Sequence, residues 1–330
     1  MSSLQITVVL ICIIINFLDG FDVIAIAFAA PVIVRDWSLE PAALGVVFSS
    51  GLAGMVVGAL FLSPLADRFG RRPLILGCLC IISIGMLASA LTDSVEQLMA
   101  MRFFTGVGVG GMLSSLTTMV AEYASDRRRQ LAISILQAGY PVGGIIAGLA
   151  SVQLLADHGW RSLFLVGGTM SVIMIPLVYW GLPESIDFLL GQRKSDTLGR
   201  VNKLRARTHQ GTFNELPPGD SSQPSKTSVT EIFSDSYLGR TIAIWTCFVM
   251  AMSAWYFVIN WTPKVLIDAG LSQKAGISGG MLLSIGGVVG GLLVGWLSSR
   301  VRVSSLVAGF MIVGIAAMAT FGHLGLNLIL

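Results

Sequence analysis

The sequence has 330 residues, of which 54% are hydrophobic and only 12% are charged, and its mean hydropathy is +0.80. In soluble domains about a quarter of all residues are usually charged. This composition therefore excludes an ordinary water-soluble domain and indicates a membrane protein. The net charge of +3 is too weak for a chain of this length to indicate nucleic-acid binding.

Nine runs of the sequence are long enough for a helix that crosses a bilayer, which needs roughly 20 apolar residues. They lie at about 6–32, 43–63, 74–92, 97–120, 131–155, 162–182, 239–261, 276–297 and 303–323. The first run is not preceded by the basic region with which a signal peptide begins, and it is too long to be the apolar segment of a signal peptide. We therefore expect it to remain as the first span.

One connection between these runs, at 183–238, is much longer than the others and is rich in Ser, Pro, Gly, Lys and Arg. We therefore predict a six-helix bundle at 1–182, a cytoplasmic linker at 183–238 and an incomplete bundle of about three helices at 239–330. This arrangement is typical of transporters built from two parallel repeats.

The basic residues indicate the orientation. With the N-terminus inside, the inner loops hold sixteen of the 21 Lys and Arg residues and the outer loops hold four, while Arg102 falls within the fourth run. The positive-inside rule therefore predicts a cytoplasmic N-terminus.

Sites for metals, cofactors and nucleotides are not expected. The cysteines lie in apolar runs without the spacing of a metal site or a disulfide framework. The glycine-rich stretch Gly106–Gly111 lies inside an apolar run instead of at a strand-to-helix turn, so it does not predict a dinucleotide site. No hydrolytic motif appears either, and we expect no enzyme activity.

Two motifs carry a family resemblance. Ala66–Arg72, with the sequence Ala-Asp-Arg-Phe-Gly-Arg-Arg, follows the second span and resembles the signature loop of the major facilitator superfamily. Asp19-Gly-Phe-Asp22 resembles the acidic motif of the aromatic acid:proton symporter family. Further similar stretches are Arg102–Gly106, Ala121–Tyr123, Gly159–Arg161, Pro183–Ser185 and Trp261–Lys264. The resemblance implies an all-α fold of twelve spans in a bacterial inner membrane, of which this sequence would hold about nine.

Charged residues inside the predicted spans call for an explanation, since an ionised Asp at a helix centre costs about 2.5–3.5 kcal/mol. Asp19 and Asp22 share one helix face. Asp22 lies roughly 24 Å from the inner end of the first span. Arg102 lies roughly 8 Å below the outer end of the fourth span, so the two residues are at a comparable depth in the membrane. We expect Arg102 to bind a substrate carboxylate or exchange it for an aspartate, while Asp19 or Asp22 takes up a proton. The alternative is a permanent structural ion pair.

The signature loop is expected to turn tightly in the cytoplasm. Gly70 permits the bend, Asp67 can cap a helix N-terminus, and Arg68, Arg71 and Arg72 can reach acidic partners or lipid headgroups. The resemblance implies a latch whose Asp67 faces an eleventh helix that this sequence lacks. A purely topogenic role is the alternative. Nearby, Glu122 precedes Arg127–Arg129, which predicts a local salt bridge, and a role in gating is the alternative.

Aromatic and polar residues gather at the outer end of the seventh run, at Trp255, Tyr256, Asn260 and Trp261. Such residues commonly anchor helices at the membrane interface. Alternatively, Tyr256 or Asn260 faces a central cavity and contacts an aromatic ring or a carboxylate.

The resemblance implies proton-coupled uptake of a small organic acid, an aromatic carboxylate such as benzoate or hydroxybenzoate. The partners are then this acid, a proton and the lipid bilayer, and we expect a monomer unless the missing helices come from another chain. Two alternatives stay open: a carrier of muconate, dicarboxylate, sugar or drug, and a truncated remnant or receptor that does not transport.

Overall fold

The computed structural model describes residues 2–125, 128–192, 196–208, 211, 213, 215, 233–234, 237–297 and 300–329, with the backbone alone at 303 and 321–329. All regular structure in these ranges is helical. The helices are α1 (Ser3–Trp37), α2 (Pro41–Val57, continued by a π-helical turn at Gly58–Leu62), α3 (Leu65–Phe69), α4 (Arg71–Ser89), α5 (Val95–Tyr123), α6 (Arg129–Asp157), α7 (Arg161–Gly181), α8 (Ile186–Gln192), α9 (Thr197–Arg207), α10 (Leu238–Asp268), α11 (Gln273–Leu297) and α12 (Val303–Ile329).

Eight of the nine predicted spans form helices that are long and apolar enough to cross a bilayer within the described ranges. The ninth run forms α12, whose described apolar part, Ser304–Thr320, is shorter. The chain is therefore an all-α, multi-pass membrane protein. These eight helices begin slightly before the predicted runs. For example, the start of α1 is capped by Ser2, whose Oγ accepts a hydrogen bond from the backbone N–H of Gln5 at 3.3 Å.

The predicted linker at 183–238 lies partly outside the described residues. Within it, the structure describes the two short helices α8 and α9, which pack on each other. The guanidinium of Arg205 in α9 lies 4.0 Å from the centroid of the Phe213 ring. The described part of the linker up to Arg207 is thus largely helical.

The first helix, α1, lies at the centre of the packing. It packs most extensively against α6 and also contacts α5, α7 and α10. Glycines permit this approach: a Cβ at Gly20 would clash with the carbonyl oxygen of Tyr140, and one at Gly143 with that of Phe17. The same kind of contact joins α2 to α5, where Gly54 faces the backbone of Phe103. Most residues of α1 are consequently buried inside the bundle.

Candidate functional site

The structure brings Asp22 of α1 and Arg102 of α5 together in a buried ion pair. The two guanidinium nitrogens Nη1 and Nη2 of Arg102 donate to Oδ1 and Oδ2 of Asp22, each at 2.8 Å. Asp22 is 1% exposed and Arg102 is 4% exposed. The guanidinium also lies 5.6 Å from the centroid of the Phe164 ring. Because such bonds are charge-assisted and bidentate, the pair is a strong and directional contact.

A small cavity adjoins this ion pair. Its polar wall is formed by Asp22, Arg102 and Asn260, and apolar residues of α1, α2 and α5 complete it. Its volume is about 20 Å³, which is room for roughly one water molecule. In this conformation the pair is therefore closed to a molecule the size of an aromatic acid.

A much larger cleft of about 810 Å³ lies between α2, α5 and α10. The cleft shares four lining residues with the small cavity, namely Phe48, Leu52, Met55 and Asn260. Its α10 wall is aromatic and includes Phe248, Tyr256, Phe257 and Trp261. This composition fits an aromatic ligand, since such sites are mostly apolar with a few placed polar groups.

The predicted residues of α10 lie on this wall. Asn260 is 5% exposed, and its Nδ2 donates to the carbonyl oxygen of Tyr256 at 2.8 Å. Trp261 packs edge-on against Phe48 of α2, with ring centroids 5.6 Å apart. Tyr256 and Asn260 thus face the interior of the bundle, while Trp255 is more exposed.

Asp19 is buried as deeply as Asp22 but has a different environment. It is 2% exposed, and neither carboxylate oxygen has a hydrogen-bond partner among the described residues. Asp22 follows Asp19 by one helical turn, and Gly20, the residue after Asp19, packs directly against the backbone of Tyr140. Within the described ranges no group of His, Cys, Asp or Glu side chains is placed to hold a metal ion.

Tyr140 of α6 is a site residue that the sequence analysis did not identify. Its hydroxyl is buried and, in the described part of the chain, has no hydrogen-bond partner. The only sequence signal is a hydroxyl group in the middle of an apolar run, directly before Pro141. That signal does not reveal which helix the side chain faces.

At one end of the bundle, the signature loop makes the expected tight turn. Gly70 has φ +106°, a conformation that favours glycine. The helix that follows is capped by Glu184, whose Oε1 accepts from the backbone N–H of Arg71 at 2.9 Å and of Arg72 at 3.2 Å. Asp67 is exposed in the first turn of α3, so the observed cap of α4 is Glu184 and not Asp67.

The arginines of this loop reach partners elsewhere in the bundle. Arg71 forms an ion pair with Glu122 at the end of α5. Arg72 donates to the carbonyl oxygen of Tyr179 and lies over its ring, while Arg68 lies over the ring of Phe69.

Glu122 has a partner that the expected local salt bridge with Arg127–Arg129 did not include. Arg127 lies outside the described residues, and Glu122 is bound by Arg71, which is 51 residues away in sequence. The Oε2 of Glu122 also accepts from the Ser185 hydroxyl at 2.7 Å. Glu122 therefore connects the signature loop to the beginning of the linker.

The chain is similar to known proteins over nearly its whole length. A profile of the family described as Major Facilitator Superfamily matches residues 12–330. A gallate transporter from Pseudomonas putida is 34% identical over 99% of this chain and 73% of its own length. A 4-hydroxybenzoate transporter from Pseudomonas aeruginosa is 32% identical over 98% of this chain and 73% of its own length.

Among solved structures, the xylose transporter XylE from E. coli in a partially occluded, inward-open conformation is similar. Its TM-score is 0.69 at 18% sequence identity, and the match covers 90% of this chain and 74% of that chain. At this level of identity the likeness concerns the fold alone.

Proposed function

We propose that this chain, which belongs to the Major Facilitator Superfamily, carries a small aromatic carboxylate into the cell together with a proton. The observation that carries the proposal is the buried, bidentate pair of Arg102 and Asp22. The pair lines a small cavity that shares four wall residues with a cleft lined by aromatic side chains. The names of the gallate and 4-hydroxybenzoate transporters support the same substrate class.

Arg102 is proposed to bind the substrate carboxylate in the place that Asp22 occupies. A carboxylate of the substrate has the same two oxygens and the same charge as the Asp22 side chain, so it fits the same guanidinium. Phe164 lies against that guanidinium and helps to hold it in place. The small volume beside the pair means that α2 or α10 moves outward when the acid enters.

Proton coupling follows from this exchange. A substrate bound to Arg102 leaves Asp22 without its cation, one helical turn from the unpartnered Asp19. Two ionised carboxylates buried side by side without a cation are strongly unfavourable, whereas a protonated carboxyl carries no charge. We therefore assign the coupled proton to Asp19, shared with Asp22 once the substrate is bound.

The movement is proposed to be alternating access by rocking of the bundle at 1–182 against the helices at 239–330, about a site near the middle of the membrane. The contacts of Arg71 with Glu122 and of Glu184 with the loop backbone support a role of Asp67, Arg68, Gly70, Arg71 and Arg72 in this movement. The excess of basic residues in the inner loops supports a cytoplasmic N-terminus. We further propose a bacterial inner membrane as the location and a monomer as the working unit.

A competition experiment tests the substrate class. Bacterial cells that produce the protein are given labelled 4-hydroxybenzoate with an excess of benzoate, muconate or xylose. We expect benzoate to reduce the uptake and xylose to leave it unchanged. Competition by xylose or muconate but not by benzoate would assign a different substrate, and binding of the label without accumulation would support a receptor.

A further inference from the structure

We propose that Tyr140 and Asp19 recognise a hydroxyl group on the substrate ring, so that the protein prefers hydroxylated aromatic acids to unsubstituted ones. This inference rests on the proposed function and adds a specificity-determining residue, Tyr140, to it. Its basis is a set of three buried oxygen atoms without hydrogen-bond partners among the described residues: both carboxylate oxygens of Asp19 and the hydroxyl of Tyr140.

The packing of α1 on α6 brings these groups to one place. Gly20, the residue after Asp19, lies directly against the backbone of Tyr140, with no space for a Cβ. The helix α10 also packs on α1, and both Tyr140 of α6 and Tyr256 of α10 contact the buried residues of the bundle. Since Tyr256 also lines the large cleft, the cluster adjoins the space from which a ligand would arrive.

The chemistry of the three oxygens restricts the occupant. Asp19 and Tyr140 do not bond to each other, so the group that satisfies both has to lie between them. An ionised Asp19 only accepts, so such a group must be able to donate to it, whereas the Tyr140 hydroxyl can donate or accept. When Asp19 carries the coupled proton, the group must also be able to accept a hydrogen bond from it. A second carboxylate only accepts, and an apolar ring edge does neither. A hydroxyl group does both, and so does a water molecule.

The register on α1 links this cluster to the carboxylate site. Asp19 precedes Asp22 by three residues, which corresponds to about 4.5 Å along the helix axis. A substrate whose carboxylate takes the place of Asp22 at Arg102 can therefore extend its ring along α1 toward Asp19. That displacement is comparable with the width of a benzene ring, so a hydroxyl opposite the carboxylate would reach the Asp19 and Tyr140 oxygens.

The experiment measures KM for 4-hydroxybenzoate and for benzoate in cells that produce the wild-type protein, Tyr140→Phe or Tyr237→Phe. Tyr237→Phe is the matched control, because Tyr237 is 51% exposed and remote from the site. We expect Tyr140→Phe to reduce the preference for 4-hydroxybenzoate about tenfold while the KM for benzoate stays within twofold, since a lost hydrogen bond affects only the hydroxylated acid. The control keeps the wild-type ratio.

A ratio unchanged in Tyr140→Phe, or an equal loss for both acids, would overturn the proposal and assign these oxygens to water alone. If the variant does not reach the membrane, the KM of the wild-type protein for 4-methoxybenzoate tests the proposal instead. This acid keeps the oxygen on the ring but cannot donate a hydrogen bond. We expect its KM to resemble that of benzoate, and a KM equal to that of 4-hydroxybenzoate would overturn the proposal. Uptake of neither acid by the wild-type protein would instead refute the proposed function and this inference with it.

Discussion

Arg102 holds both carboxylate oxygens of Asp22 at 2.8 Å, and the two residues together are almost completely removed from the surface. The edge of the guanidinium that carries Nη1 and Nη2 is thus fully occupied by one carboxylate. A substrate carboxylate can therefore bind there only by displacing Asp22. This competition for one cation distinguishes a transport site from a permanent structural pair, and the two interpretations predict different behaviour in variants.

Replacing Arg102 by lysine tests whether the forked geometry matters. Lysine keeps the charge but offers a single ammonium group, so it cannot bind both oxygens of a carboxylate in parallel. We expect uptake of 4-hydroxybenzoate to fall at least tenfold, a loss of about 1.4 kcal/mol or more in transition-state binding. Arg35→Lys is the control, because the Arg35 side chain is 77% exposed, and its uptake should be that of the wild type.

Neutralising the pair separates stability from transport. Asp22→Asn or Arg102→Gln alone leaves one buried charge without its partner, which we expect to destabilise the protein by about 3–5 kcal/mol. The double variant removes both charges and should recover most of the thermal stability in detergent without recovering uptake. A double variant that transports like the wild type would mean that the pair is only structural.

The assignment of the proton to Asp19 predicts a selective defect. Asp19→Asn removes no ion pair, because Asp19 has no partner among the described residues. We expect the variant to exchange labelled for unlabelled 4-hydroxybenzoate across proteoliposome membranes but to lose accumulation driven by a pH gradient. The exposed residue Asp157 supplies the control Asp157→Asn, which should keep both activities. Gradient-driven accumulation by Asp19→Asn would show that a residue other than Asp19 carries the coupled proton.

The turn of the signature loop predicts a local cost at Gly70. Alanine there would adopt an unfavourable φ of +106°, and its Cβ would crowd the carboxylate of Glu184. We expect Gly70→Ala to cost about 1–3 kcal/mol and to reduce the amount of folded protein in the membrane. Gly77→Ala, in the same region but with nothing within 4 Å of the added Cβ, should be neutral or slightly stabilising. Equal behaviour of the two variants would show that the loop conformation is not required.

The spans and the Asp22–Arg102 pair could be predicted from the sequence for simple physical reasons. Apolar runs of sufficient length specify helices in a bilayer, and the rise per residue places Asp22 and Arg102 at a common depth. Contacts that depend on helix rotation could not be predicted in this way. The cap from Glu184, 113 residues after Arg71, and the position of Tyr140 beside Asp19 both depend on which helix faces which.

The ends of the helices show the same limit. The π-helical turn at Gly58–Leu62 continues α2 toward the signature loop, although an apolar run does not distinguish it from an α-helix. The helices α8 and α9 lie in a polar stretch, where the length and hydropathy criteria for a span do not apply. Such features depend on tertiary contacts and local capping, which hydropathy does not encode.

The measurement that tests the central claim most directly is accumulation of labelled 4-hydroxybenzoate by proteoliposomes that contain the purified protein, with the outside made acidic relative to the inside. The account predicts transient accumulation above the external concentration, abolished by a protonophore and absent in Arg102→Lys. Accumulation that is the same with and without the pH gradient, or no greater than in liposomes without protein, would contradict it.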